Sequence, residues 1–137
     1  GIPVSISHGR DLTLVVAGSP GCDLEPVVSR DVQVWCDLLG TNAFAVANVI
    51  AQETGESLDV AATRLWTVKE CLKKAGVMID TPLILTEVMP DGGVCLSAGA
   101  MGIVTFVVSV QGFGEPVVVA GLVGKEVMRS PSFPNLQ

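Results

Sequence analysis

Residues 57–76 read SLDVAATRLWTVKECLKKAG. Ser57 is a good helix N-cap, Asp59 falls in the first turn, Lys73 and Lys74 fall in the last, and Gly76 follows. Apolar side chains recur at Leu58, Ala61, Leu65, Val68, Leu72 and Ala75, at steps of three and four. That spacing predicts one long helix over 58–75 with its apolar stripe turned to a core. Glu70 falls on the side opposite the stripe, on the general face of Thr63, Trp66, Thr67 and Lys74. Glu70 and Lys74 stand four apart, the spacing of a helical ion pair.

Outward from this helix the pattern changes period. On its C-terminal side, 83–88, 94–98, 102–110 and 117–123 read as strands, with turns at PDGG (90–93) and QGFGEP (111–116). On its N-terminal side, 42–54 is Ala-rich and helical. A shorter helix runs from a Ser29 cap to about Leu39, and Gly40 and Thr41 break the two apart. Before them, 3–8, 12–18 and 22–27 read as strands, and Pro26 ends the last of these or places it at a sheet edge. Strands, helices, then strands again give an α+β fold, an antiparallel sheet packed against a long helix, rather than alternating βαβ units. The domain spans 1–124, and 125–137, with two Pro and two Ser, reads as a tail.

A chain of 137 residues and 14.2 kDa fits one domain. Hydrophobic residues make up 49%, charged residues 16%, and mean hydropathy is +0.57, which excludes intrinsic disorder and leaves more apolar surface than a small monomer readily hides. A net charge of −6 and 4% aromatics argue against nucleic-acid binding. No uninterrupted apolar stretch of about 18 residues occurs, so no membrane span is expected. No signal peptide is visible, and the chain, starting at Gly1 in strand character, reads as a piece of a longer polypeptide. Cys22, Cys36, Cys71 and Cys95 form no CxxC pair and accompany one histidine, a composition of free thiols in a reducing cytoplasm rather than of a zinc site.

Three constellations could carry chemistry. Asp23 and Glu25, two apart on an extended segment, point the same way and suit a hard divalent cation, although a solvated strand face has the same pattern. Arg64, Lys69, Lys73 and Lys74 place half of all basic residues on the long helix, as a phosphate-facing surface or as solvated charges complementing the helix dipole. Ser5-Ile6-Ser7-His8 carries the only histidine, a surface residue or, with Ser7, a phosphate contact.

In this order, VSISH, then GCDLE, then WTVKECLKKA, the three pieces resemble the 4′-phosphopantetheinyl transferases, in particular the second half of the surfactin-synthetase-associated type. The resemblance covers roughly residues 3–76. It implies Mg²⁺-dependent transfer of the phosphopantetheine arm of coenzyme A to a serine of an acyl or peptidyl carrier protein, releasing 3′,5′-ADP. It implies Asp23, Glu25 and Glu70 as the metal-holding carboxylates. It implies Ser7 and His8 at the 3′-phosphate of coenzyme A, and Lys69 and Lys74 at its phosphates, with Lys74 also neutralising the leaving group. Glu70 would further serve as the base, directly or through a water. Cys71 stands where the family usually has Ala or Ser. The first half of such enzymes, with its basic residues, has no counterpart here, whereas the acyl-carrier-protein synthase branch is short and trimeric but has a different motif order. The implied setting is a transferase domain of a large synthase, cytoplasmic, assembling as a homo-oligomer, a trimer by preference, with coenzyme A and a carrier protein as partners.

Two other readings compete. The chain could be a non-catalytic module that docks a carrier domain or oligomerises. Less fittingly, it could be a hot-dog-type domain acting on acyl thioesters, whose central helix would be hydrophobic rather than carry Lys-Glu-Cys-Leu-Lys-Lys.

Overall fold

A computed structural model describes residues 2, 4–9, 11–78 and 80–123; the tail expected over 125–137 lies outside the described residues. Two antiparallel sheets and two helices form an α+β fold. Strands β1 (Val4–Gly9) and β2 (Leu12–Ala17) make a two-stranded ribbon, with Ile6 opposite Val15 and His8 opposite Thr13. The second sheet has five strands: β3 (Cys22–Pro26), β4 (Leu83–Val88), β5 (Val94–Ala98), β6 (Met101–Val108) and β7 (Val117–Val123). Their spatial order is β3-β7-β6-β5-β4, antiparallel throughout. The lone N-terminal strand thus closes the edge beside the C-terminal one. Pro26 ends β3, and β3 is an edge strand, so its missing N–H removes no ladder bond from a sheet interior.

Helix α1 spans Val32–Thr54 and α2 spans Leu58–Lys74. The two helices expected over 29–39 and 42–54 are both present within α1, parted at Gly40, whose φ of 82° and ψ of 168° leave the helical region. Asp31, not Ser29, occupies the N-cap, without a side-chain capping bond. At α2 the expected cap is present: Ser57 Oγ accepts from the Val60 amide at 3.2 Å.

Helix α2 lies between α1 on one side and strands β3, β6 and β7 on the other. That position corrects the expectation of a single buried stripe. Ala61, Leu65, Val68 and Leu72 are buried as expected, but so are Thr63 and Thr67 on the opposite face. A helix covered on two sides has two inward faces, and the threonines satisfy their hydroxyls locally, Thr63 on the Asp59 carbonyl at 2.7 Å and Thr67 on the Thr63 carbonyl at 2.6 Å. Trp35, Leu39, Ala43, Ala47 and Ile50 of α1 complete the core with Leu96, Ile103 and Leu122 of the sheet. By length and composition α1 could cross a membrane; in this fold it packs on α2 and β4 through those five buried side chains.

Candidate functional site

Strand β3 runs antiparallel to β7, with Asp23 opposite Ala120 and Glu25 opposite Val118. Ala120 belongs to the core against α2, so this face of β3 looks toward the helix, and the period of two places Asp23 and Glu25 on it together. Asp23 is 3% exposed. Its Oδ1 accepts from Lys74 Nζ at 2.7 Å and from Ser7 Oγ at 2.8 Å, and Lys74 also donates to Ser7 Oγ at 3.1 Å. Three elements, β1, β3 and α2, therefore meet at one carboxylate oxygen. The other oxygen, Oδ2, is buried and accepts no hydrogen bond among the described residues. An unpaired buried carboxylate oxygen is costly, and such exceptions concentrate where a ligand binds.

Glu25 and Glu70 complete the acidic side. Burial pushes the Glu25 carboxyl above its usual value, and the charges of Asp23 and Glu70 push it further; Lys74 and Arg30 pull the other way. The three carboxylates are thus electrostatic neighbours. Among the described residues the Glu70 carboxylate accepts no hydrogen bond and forms no ion pair, and Lys74 pairs with Asp23 rather than across the helical turn with Glu70. Cys71, between them in sequence, is buried, and its thiol is pushed up to about 12 by burial and then by Asp23 and Cys22; at neutral pH it is protonated and poorly nucleophilic.

The other expected site residues go to different places. Lys69 donates to the Leu39 carbonyl at 2.9 Å, closing the first segment of α1 where Gly40 breaks the helix. Lys69 and Glu70 line a groove of about 420 Å³ at this kink, with Leu38, Trp66, Lys73 and Met78. Alternation along β1 turns Ser7 inward to Asp23 and His8 outward, so these neighbours do not share one ligand face. His8 is exposed, its Nδ1 lies 3.1 Å from Thr13 Oγ1, and it lines a second groove of about 600 Å³ with Leu24, Glu25 and Ser29.

Arg64 corrects the expectation that the basic residues of this helix face phosphates together. It is 3% exposed and turned into the fold. Its Nε and Nη2 donate to the two oxygens of Glu56 at 2.8 and 3.0 Å, Nη2 also to the Gly92 carbonyl, and Nη1 to the Thr105 carbonyl and hydroxyl. It ties α2 to β6 and to the β4–β5 turn. Glu56 eight residues upstream has no helical spacing to announce the pair. Nor does the sequence announce Asp59, which accepts from Trp35 Nε1 at 2.8 Å and from the Arg30 amide at 3.1 Å. Burial alone would raise the Asp59 carboxyl, but these bonds and one from Ser29 outweigh it and hold it below its usual value.

The donor types that a magnesium ion takes are present here. Among the described residues no group of three or more His, Cys, Asp and Glu side chains is placed to hold a metal ion. Mg²⁺ rarely needs such a group, because it keeps several waters and takes one or two carboxylates plus phosphate oxygens. The unpartnered Asp23 Oδ2, with Glu25 on the same strand face and Glu70 within electrostatic reach of Glu25, would be the carboxylates to hold such an ion.

No family model, no curated protein and no solved structure matches this chain.

Proposed function

We propose that this chain catalyses Mg²⁺-dependent transfer of the phosphopantetheine arm of coenzyme A to a serine hydroxyl of a carrier protein, releasing 3′,5′-ADP. The observation that supports this reading is the Asp23 carboxylate: buried, held on one oxygen by Ser7 and Lys74, and without a hydrogen-bond partner on the other among the described residues, with the charges of both Asp23 and Glu70 felt at Glu25. The resemblance of SISH, GCDLE and WTVKECLKK to the phosphopantetheinyl transferases selects the reaction. In it the serine oxygen forms a bond to the β-phosphorus of coenzyme A, the bond from that phosphorus to the bridging oxygen breaks, and 3′,5′-ADP leaves with the electron pair.

Such a transfer depends on positioning and charge neutralisation more than on covalent catalysis. Asp23 and Glu25 would hold the cation, with Glu70 beside them; when bound, the metal neutralises charge on the pyrophosphate oxygens. Lys74, with a half-exposed side chain, brings its ammonium to the same point. Glu70, with a carboxylate uncommitted among the described residues, takes the serine proton directly or through a water. Lys73 adds charge at the rim of the groove that Glu70 lines.

The test is incubation of an apo carrier protein with coenzyme A, Mg²⁺ and this chain, followed by the intact mass of the carrier. A gain of one phosphopantetheine arm is expected, and Asp23→Asn and Glu70→Gln should each abolish it. No gain under any condition, or full activity in either variant, overturns the assignment.

One observation favours a second reading, a docking or oligomerisation module without catalysis. Ser7 and His8 lie on opposite faces of β1, so a phosphate grip that uses both is not assembled on this chain. Calorimetry with coenzyme A separates the two: Mg²⁺-dependent binding favours the enzyme, and no binding favours the module.

A further inference from the structure

We propose that Lys74 is a resident counter-ion for Asp23, displaced when a divalent cation binds, so that cation binding turns the ammonium out toward an anionic ligand. This rests on the metal-binding reading above and adds an order of events to it.

The two partners of the ion pair differ in mobility. The Asp23 side chain is 5% exposed and fixed by Ser7, whereas the Lys74 side chain is 49% exposed on a flexible stem at the last turn of α2. The carboxylate cannot leave; the ammonium can. Lys74 also relieves repulsion in the cluster. The charges of Asp23 and Glu70 both act on Glu25, and among the described residues Lys74 is the cation in direct contact with any of the three. Its bond to Asp23 favours the charged ammonium, so it carries its positive charge across the neutral range. A dication on Asp23 Oδ2 would share one carboxylate with that ammonium, and the two like charges oppose each other at contact distance. Asp23 keeps the Ser7 bond whichever cation it holds, so Ser7 is the positioning residue that lets the exchange occur without the carboxylate turning. Linkage then requires reciprocity: the metal weakens the Lys74–Asp23 pair by the same factor as the pair weakens the metal.

The test uses Mn²⁺ alone as the probe, its affinity read by electron paramagnetic resonance on wild type, Lys74→Met and Lys74→Gln. Lys74→Gln retains a donor for Asp23 and serves if the Met variant does not fold. Lys73→Met makes the same change in net charge one residue away. About tenfold tighter Mn²⁺ binding is expected in the Lys74 variants, against about twofold or less in Lys73→Met. In parallel, the ¹⁵N signal of the Lys74 ammonium, protected by its bonds to Asp23 and Ser7 in metal-free protein, should vanish on saturation with Mg²⁺. Unchanged or weaker Mn²⁺ binding in the Lys74 variants, or a Lys74 signal that survives Mg²⁺, overturns the exchange and leaves the metal site standing. Failure of every protein to bind Mn²⁺ overturns both.

Discussion

Glu25 is a residue whose charge the fold opposes. Burial raises its pKa first, Asp23 and Glu70 raise it further, and Lys74 and Arg30 only partly offset them. A carboxyl whose folded pKa is raised binds its proton more tightly in the native state than in the unfolded chain. Its contribution to stability is therefore complete below the unfolded value near 4.5 and is lost as pH rises through the folded value. Chemical denaturation in the presence of a chelator should show Glu25→Gln gaining on wild type as pH rises through this window, with the two converging in acid. A gap that is constant with pH would show that Glu25 does not titrate abnormally. Nothing in the local pattern announces this asymmetry. Asp23 and Glu25 were legible as a pair on one strand face, because alternation is a local property. Which of the two would be sealed against Ser7 and Lys74 depends on contacts between residues 16 and 51 positions apart. Arg64 shows the same limit: its side-chain type does not distinguish a phosphate ligand from a core tie, and only the packing of α2 against β6 decides.

At the scale of elements, most of the fold could be read directly. β4, β5 and β7 begin and end where alternation and the flanking turn residues place them, and α2 starts at its Ser57 cap. Local chemistry fixes those boundaries, so one sequence suffices. The helical region before it was legible as two segments, and the backbone does break between them at Gly40. At Gly40 the backbone adopts φ 82° and ψ 168°, a region essentially confined to glycine. A Cβ added there meets nothing within 4 Å, so substitution is opposed by backbone strain alone. Gly40→Ala should destabilise the chain by about 1–3 kcal/mol, read as a lower urea midpoint at unchanged slope. It should also disturb the 420 Å³ groove, since Lys69 is held there by the Leu39 carbonyl. A neutral Gly40→Ala would mean that the kink is a soft bend rather than a fixed feature.

At the scale of the whole molecule, the high apolar fraction is only partly absorbed by the core. The β1–β2 ribbon has an inner face on which the Ser5 and Ser7 hydroxyls donate to the Ser19 carbonyl and to Asp23, and the Leu14 carbonyl accepts from the Cys22 thiol. Its outer face presents Val4, Ile6 and Val15, with Ile2 just before it, exposed at 59, 57, 60 and 74%. A two-stranded ribbon is marginal alone, and a contiguous apolar face on one is a surface that association would cover. Long-range repulsion between copies carrying −6 works against that association and is screened by salt. Sedimentation equilibrium should accordingly show a species larger than one chain, with the larger species favoured as salt is raised. Ile6 and Val15 are cross-strand partners, so replacing them with Lys and Glu keeps an opposite-charge pair in register while removing the apolar surface. The double variant should sediment as a single chain with an unchanged circular dichroism spectrum. A wild type that is monomeric at every salt concentration, or a double variant that still associates, would place the cohesive surface elsewhere. The outward stripe of Val34, Leu38 and Val49 on α1 would be the next to test.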